Sequence, residues 1–262
     1  MMTRQTTADL DGDLPAPAAA KTMAAIEAVG RKAYRLTQAE VVKATDCSAN
    51  LVFRMLSTLE SLGYMTRREE SRRYVLPGRL LESCQPRAMG KSLVLCAHPA
   101  MEWLRDRSRE TVQLMLRTGN RGMVLAQVSG LKPVQVMGQI GMLVPLYSCA
   151  PGKAILAALP EAELDEWLAA TTLKSFTEKT KVSRAELLTD LQQSRRRGYT
   201  EDWEDGIEGI RCIAAPILDA CDRPVGAITA MSPVIRLPRK RFTELGQWCI
   251  EAAARVRKEL LS

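Results

Sequence analysis

The stretch LTQAEVVKATDCSANLVFRMLSTLESLGYMTRREESRRYVL, residues 36–76, contains the signals of two short helices followed by a basic hairpin. Thr37 and Glu40 form a T-x-x-E pair, the capping box that opens a helix. Ser48 is a good N-cap for a second helix, and Gly63 is suited to the position just past its end. Two helices joined by a short turn and followed by a hairpin are typical of a winged helix-turn-helix, which holds its second helix in the DNA major groove.

The second helix, predicted over 49–62, has two distinct faces. Apolar residues recur at three- and four-residue steps and predict one buried stripe: Leu51, Val52, Met55, Leu56, Leu59 and Leu62. The opposite face carries Asn50, Phe53, Arg54, Ser57 and Thr58. Asn and Arg can bind base edges, Ser and Thr can hold phosphates, and Phe can contact a thymine methyl group. This face is therefore the predicted recognition surface.

Four arginines crowd the hairpin predicted from strands 64–67 and 73–76. They are suited to phosphates or to a minor groove, although Glu69 and Glu70 partly cancel their charge and a solvated charged turn is the alternative. The predicted DNA-contacting set is Thr37, Ser48, Asn50, Phe53, Arg54, Ser57, Arg67, Arg68, Arg72 and Arg73.

The positive charge of the chain is concentrated in the small N-terminal unit that contains this hairpin. Residues 21–80 carry 11 Lys+Arg against 6 Asp+Glu, whereas residues 81–262 carry 25 against 21 over three times the length. A local excess of this kind favours a polyanionic partner, here double-stranded DNA.

Composition excludes several other classes of protein. With 262 residues, of which 46% are hydrophobic, the chain can hold two modest domains, and its sequence contains no apolar run long enough for a membrane span. Residues 1–20 are polar, acidic and Pro/Ala-rich, so they predict a disordered tail rather than a signal peptide. Seven dispersed cysteines without a C-x-x-C pair, and the single histidine His98, indicate reduced thiols in the cytoplasm and no metal site or cofactor.

The rest of the chain predicts a mixed, largely antiparallel α+β domain. Helices are expected at about 80–95, at 99–109, at 151–159, 160–170 and 183–197, and from Pro238 to the end of the chain. Strands are expected at 111–117, 123–128, 210–218 and 225–232, with weaker ones at 133–138 and 144–147.

Two segments of this domain contain candidate ligand-binding chemistry. In residues 147–154, YSCAPGKA, a strand end enters a helix through small residues, so that freed N–H groups and the helix dipole favour a carboxylate. A tight strand–helix turn explains the same residues equally well. Residues 198–212, GYTEDWEDGIEGIRC, form an acidic loop that lacks calcium-loop spacing and is more often merely solvated.

The chain resembles the IclR family of transcriptional regulators from about Lys21 to Leu261. The motifs that carry this resemblance are LTQAEV, TLESLGY, RYVL, PLYSCAPGKAILAALPEAEL, GYTEDWEDGIEGIRCIAAPILD and AITAMSPVIRL. The resemblance implies a winged helix over 21–79 that binds a palindromic operator, a linker helix over 80–97, and a GAF-like effector-binding domain over 98–262. It also implies a homodimer or a homotetramer.

The resemblance further implies a pocket for a small organic acid. The matching positions are Ala150, Pro151, Gly152, Asp202, Cys212, Thr229 and Met231. Met231 stands where related proteins that bind glyoxylate-like acids have serine, so a hydroxyl donor is replaced by a soft apolar side chain. We therefore expect a carboxylate effector with an apolar or aromatic part.

Two alternatives compete with ligand-responsive regulation of a catabolic operon. A cysteine-dependent enzyme would need His98 to act as the base for Cys149 or Cys212. A DNA-binding protein whose C-terminal domain only dimerises would not need residues 147–154 and the Asp202–Cys212 segment to face one site. The sequence favours a regulator without catalytic residues.

Overall fold

The computed structural model describes residues 15–31, 36–76 and 86–262, and the chain divides into two units, Met1–Gln85 and Pro86–Ser262. Each unit has its own hydrophobic core. Among the described residues, no helix is both long enough and apolar enough to cross a membrane.

The first unit is a small helical domain with a β-hairpin. Its described elements are helices α1 (Pro17–Arg31), α2 (Gln38–Thr45) and α3 (Ala49–Ser61), and antiparallel strands β1 (Thr66–Arg67) and β2 (Tyr74–Val75). Thr37 and Glu40 form the expected capping box, Ser48 accepts a hydrogen bond from the N–H of Leu51, and Gly63 has a φ of 74°. The predicted helix-turn-helix and its hairpin are therefore confirmed.

Two predictions about this unit were wrong in detail. The disordered tail predicted over 1–20 overlaps α1, because Pro17 opens that helix; residues 1–14 lie outside the described residues. Leu62 was expected in the buried stripe of α3 but is 52% exposed, because the helix ends at Ser61 and Leu62 is its C-cap. The stripe that packs against α1 and α2 consists of Val52, Met55, Leu56 and Leu59.

The second unit is built around a six-stranded antiparallel sheet. Its strands are β5 (Thr111–Thr118), β6 (Arg121–Val128), β7 (Leu143–Pro145), β8 (Thr200–Asp202), β9 (Ile210–Leu218) and β10 (Pro224–Pro233), and a separate short hairpin contains β3 (Arg87–Ala88) and β4 (Lys91–Ser92). Their order in the sheet is β7-β6-β5-β10-β9-β8. Its helices are α4 (Leu93–Ser108), α5 (Ala150–Ala158), α6 (Glu161–Ala169), α7 (Arg184–Arg197) and α8 (Phe242–Leu261), with short 3₁₀ turns at Leu146–Ser148, Val234–Arg236 and Arg239–Arg241.

Helices cover both faces of this sheet. α4 and α8 pack on one face against alternate residues such as Leu114, Ile213 and Ile228. α5, α6 and α7 pack on the other face, where Cys212, Ala214 and Met115 point. This three-layered arrangement is the mixed α+β fold with a mainly antiparallel sheet that the sequence predicted.

The helix predicted over 80–97 is confirmed only at 93–97, which lie in α4; the described residues before Leu93 are not helical. Residues 77–85 lie outside the described residues, and β3 and β4 occupy 87–92 before α4 begins at Leu93. Met89 and Gly90, with φ values of 54° and 80°, make the tight turn between them, a conformation that hairpins favour. The segment before α4 therefore belongs to the second unit as a hairpin.

Three smaller expectations in this unit also need correction. α4 continues through Pro99 because that residue lies on the exposed side of the helix, where water can hydrate the freed carbonyl of Leu95. Residues 133–138 form no strand, and the strand expected at 144–147 ends at Pro145. The last helix begins at Phe242 rather than at Pro238, because a 3₁₀ turn comes first.

Candidate functional site

The outward face of α3 carries the predicted recognition residues. Asn50, Phe53, Arg54 and Thr58 are exposed, and Ser57 is half-buried. None of these side chains is needed for the apolar core on the opposite side of the helix. The structure therefore leaves this face available, and its contact with DNA stays a prediction.

The hairpin arginines divide into two groups. Arg67, Arg68 and Arg72 are exposed, and Arg72 has a φ of 51° in the turn. Arg73 is half-buried, and its Nη1 lies 2.9 Å from Glu40 Oε2. Arg73 therefore ties the hairpin to α2, a role that the sequence analysis did not assign to it.

Two other members of the predicted DNA-contacting set also have internal partners. The hydroxyl of Thr37 accepts a hydrogen bond from the Glu40 N–H, and Glu40 Oε2 accepts one from the Thr37 N–H at 2.7 Å. The hydroxyl of Ser48 accepts a hydrogen bond from the Leu51 N–H at 3.3 Å. Both residues begin helices, so their contribution to α2 and α3 does not depend on DNA.

In the second unit, the strand register brings the predicted effector residues together. Asp202 on β8 lies opposite Cys212 on β9, and Cys212 lies opposite Met231 on β10. Thr229 lies two residues from Met231 on β10, opposite Ala214. Because side chains two residues apart on a strand share a face, these four positions form one surface under α5.

The N-terminus of α5 adjoins this surface. Thr200, on the same face as Asp202, donates a hydrogen bond from its hydroxyl to the carbonyl of Ala150 at 2.7 Å. Ala150, Pro151 and Gly152 are all buried. The two segments that the sequence analysis singled out therefore meet at one place, as ligand binding requires.

Gly152 is required for packing inside the protein. A Cβ atom at this position would lie 2.3 Å from the carbonyl oxygen of Leu146 and 2.5 Å from its Cα. The small residues at 150–152 therefore serve a tight turn between the 3₁₀ turn and α5, which is the alternative that the sequence left open. A tight turn and an anion site on the same helix are compatible with each other.

A buried ion network that the sequence did not reveal lies one turn further along α5. Lys153 is 0% exposed, and its Nζ lies 2.8 Å from Asp190 Oδ2 and 2.5 Å from Asp205 Oδ2. Lys181 Nζ is 3.3 Å from each of the same two oxygens. Burial opposes the charged form of Lys153, but Asp205 and Asp190 outweigh it and raise the pKa of Lys153.

This network and the burial around it set the protonation of the site. Burial raises the pKa of Asp202 to about 7, although Lys153 opposes the shift. Burial also raises the pKa of Cys149 to about 12, and burial followed by the charge of Asp202 raises the pKa of Cys212 well above its ordinary value. Near neutral pH the site therefore presents two neutral thiols and a carboxyl group that readily takes up a proton.

The acidic segment 198–212 is not a loop throughout. Thr200–Asp202 form the edge strand β8, and two of the acids that follow, Glu204 and Asp205, have basic partners. Glu204 Oε1 lies 2.7 Å from Lys179 Nζ and 3.3 Å from Arg211 Nη2. Within the described ranges no group of acidic, histidine and cysteine residues is arranged to hold a metal ion.

The structure does not bring His98 to either candidate nucleophile. His98 is an exposed residue of α4, 3.7 Å from Glu102, and α4 packs on the face of the sheet opposite Cys212. The raised pKa values of both thiols disfavour the thiolate that nucleophilic catalysis needs. The geometry therefore favours Cys149 and Cys212 as neutral lining residues of the site.

Comparison with known proteins identifies both units. Residues 89–258 match the family described as bacterial transcriptional regulator IclR C-terminal, and residues 18–69 match the IclR helix-turn-helix domain. The transcriptional repressor IclR of Escherichia coli strain K12 is 30% identical over 205 residues, which are 78% of this chain and 75% of the repressor.

Solved structures agree with this assignment. The crystal structure of Thermotoga maritima IclR is 27% identical and superposes with a TM-score of 0.72 over 92% of this chain and 98% of that chain. An IclR homologue from Microbacterium hydrocarbonoxydans, crystallised with 4-hydroxybenzoate, has a TM-score of 0.67 over 93% and 99% of the two chains; at 20% identity it shows the fold alone. The chain belongs to the IclR family of bacterial transcriptional regulators.

Proposed function

We infer that this regulator binds a palindromic operator through α3 and the β1–β2 hairpin, and that a small carboxylic acid bound in its second unit changes its affinity for that operator. The observation that carries the proposal is the strand register, which aligns Asp202, Cys212 and Met231 side by side on β8, β9 and β10, next to the N-terminus of α5. It places polar and apolar groups on one buried surface, as pockets for small organic ligands require.

On DNA, Asn50, Phe53, Arg54 and Ser57 act from the exposed face of α3, while Arg67, Arg68 and Arg72 hold phosphates. Asn and Arg supply base discrimination, whereas the hairpin arginines supply affinity that does not depend on sequence. Assembly as a homodimer or a homotetramer presents two such faces, which matches a palindromic site.

In the second unit, the acid lies against Ala150, Pro151 and Gly152, with Asp202, Cys212, Thr229 and Met231 around it. The helix dipole of α5 favours its carboxylate. Met231, which is apolar and half-buried, favours an acid with an apolar or aromatic part. The 4-hydroxybenzoate found with the Microbacterium homologue is an acid of this kind.

Within the second unit, contacts connect this site to the β3–β4 hairpin near the start of the unit. β9 packs on α8, and Lys91 in the β3–β4 hairpin donates hydrogen bonds to the carbonyl of Glu259 at 2.8 Å and to the hydroxyl of Ser262 at 3.0 Å. A shift of β9 on ligand binding would therefore reach the segment that precedes α4. The ligand changes DNA affinity only if it binds one arrangement more tightly than the other.

The test starts with thermal unfolding of the full chain against a panel of small carboxylic acids, because a bound acid raises the melting temperature by mass action. Fluorescence anisotropy with DNA from upstream of the protein's own gene then measures operator affinity with and without each stabilising acid. Sequence-specific binding that an acid changes supports the proposal; specific binding that no acid changes would instead favour a C-terminal domain that only dimerises.

A further inference from the structure

The buried surface under α5 continues past Thr229 to two side-chain amides. Gln113 on β5 lies opposite Thr229 on β10, and Gln127 on β6 lies opposite Gln113. Gln113 is only 4% exposed. Thr200, Ala214 and Thr229 lie side by side on β8, β9 and β10. Gln113 and Gln127 continue this line of cross-strand neighbours onto β5 and β6.

Amides at these positions are unusual for a covered sheet. On the opposite face of the same two strands, the neighbouring residues are apolar, namely Val112, Leu114, Ala126 and Val128. A buried amide costs free energy unless its donors and acceptors are paired. Two amides on one face therefore suggest a purpose other than packing.

The hydrogen bonds of this pair leave one acceptor open. Gln113 Nε2 donates to Gln127 Oε1 at 2.7 Å, and the Gly138 N–H donates to the same oxygen at 2.9 Å. Gln127 Nε2 has only the thioether sulfur of Met137, at 3.6 Å. Within 15–31, 36–76 and 86–262, no donor is bonded to Gln113 Oε1, which can accept two hydrogen bonds.

The chain around Gly138 fixes which end of the Gln113 amide is open. A Cβ atom on Gly138 would lie 2.2 Å from Gln113 Nε2, so the backbone there closes the nitrogen side of the amide. The oxygen lies further from Gly138 than the nitrogen does. The amide is therefore held by its nitrogen, with its oxygen left for another partner.

We propose that Gln113, held in place by Gln127, is a second subsite that accepts a hydrogen bond from a hydroxyl group at the far end of the effector. The proposal rests on the proposed function, because the carboxylate is assigned to the Asp202–Cys212 end. β5 is two strand spacings from β9, about 10 Å. That span suits an acid whose carboxylate and hydroxyl lie at opposite ends of one ring, and Met231 contacts the ring between them.

The experiment is isothermal titration calorimetry of the full chain with benzoate, 4-hydroxybenzoate, 4-fluorobenzoate and pyruvate. In the wild type, 4-hydroxybenzoate should bind about tenfold more tightly than benzoate, the effect of one hydrogen bond. 4-Fluorobenzoate should bind no better than benzoate, because fluorine occupies similar space without donating. Gln113→Met should bring the ratio of the 4-hydroxybenzoate affinity to the benzoate affinity close to one.

Gln247→Met is the matched control, because Gln247 is an exposed residue of α8. It should keep the wild-type ratio. An unchanged ratio in Gln113→Met, or 4-fluorobenzoate binding as tightly as 4-hydroxybenzoate in the wild type, would overturn the subsite. Binding of pyruvate alone would also overturn the subsite, while the proposal of a carboxylate effector would still hold. If none of the four acids binds, the subsite is overturned as well. The broader panel of carboxylic acids then decides whether the proposed function also fails.

Discussion

Asp202 lies directly opposite Cys212 across the antiparallel pair β8–β9, and both side chains are buried. Burial raises the pKa of both groups, and the charge of Asp202 raises the pKa of Cys212 further. Below pH 7 both groups are therefore mostly protonated, so the carboxylate effector that we propose would meet neutral side chains at these two positions.

The first prediction concerns the pH dependence of stability. The pKa of Asp202 is raised to about 7 in the folded protein, whereas an unfolded Asp has a pKa of about 4. The folded state therefore holds an extra proton between these values, and stability falls as pH rises through that range. Asp202→Asn removes the titrating group and with it this loss. The free energy of unfolding of the variant minus that of the wild type should therefore increase between pH 5 and pH 8, by up to a few kcal/mol.

Urea unfolding at both pH values measures this difference. Glu208→Gln is the control, because Glu208 is an exposed carboxyl group that follows β8 in the same segment. A stability difference between Asp202→Asn and the wild type that stays constant from pH 5 to pH 8 would contradict the raised pKa.

The second prediction concerns the buried ion network. Lys153→Met should destabilise the second unit by about 3–5 kcal/mol, because Asp205 and Asp190 lose their buried partner. Adding Asp205→Asn should recover part of the loss, since one uncompensated charge is then removed. Urea unfolding followed by tryptophan fluorescence measures both variants; a double variant less stable than Lys153→Met would argue against the network.

The third prediction concerns Gly152. Gly152→Ala should destabilise the ligand-free protein by about 1–3 kcal/mol, because its Cβ would meet the backbone of Leu146 rather than a flexible side chain. Thermal unfolding without any acid measures this cost. A variant as stable as the wild type would show that the turn at 146–152 can relax, and that glycine is needed there for another reason.

The fourth prediction separates the roles of three arginines. Arg54→Ala should cost about 1–3 kcal/mol of operator discrimination, whereas Arg72→Ala should weaken all DNA sequences alike and lower the salt dependence by about one ion. Arg73→Ala should instead loosen the hairpin from α2, because Arg73 is bonded to Glu40. Anisotropy titrations on operator and scrambled DNA, at several salt concentrations, distinguish the three results. Full discrimination retained by Arg54→Ala would overturn its assignment as a base-reading residue.

Local signals in the sequence predicted the first unit well. The capping box at Thr37, the N-cap at Ser48 and the 3.6-residue period of α3 each depend on residues close together in the chain. The same rules wrongly predicted a helix boundary at Pro99. Proline is tolerated in a helix when the carbonyl that it frees faces water, and the sequence does not show whether that carbonyl is exposed. The local rules also missed the turn at Met89 and Gly90, because they predicted one continuous helix through these residues.

The candidate site was only partly predictable for a different reason. Asp202, Cys212, Thr229 and Met231 came from family resemblance, and the register then placed them on one surface. Neither the network around Lys153 nor the pair Gln113–Gln127 has a recognisable spacing, because each joins residues from separate elements. Such contacts depend on strand order and helix packing, which local patterns do not encode.

The most direct test of the account is the operator affinity of Cys212→Leu, measured by anisotropy with and without the acid that stabilises the wild type most. Leucine fills the site, and the substitution leaves every residue of α3 and of the β1–β2 hairpin unchanged. Effector control from this site predicts that the variant binds operator within about twofold of the wild type and no longer responds to the acid, whereas the wild type responds at least about fivefold. A wild-type response retained by Cys212→Leu would contradict it.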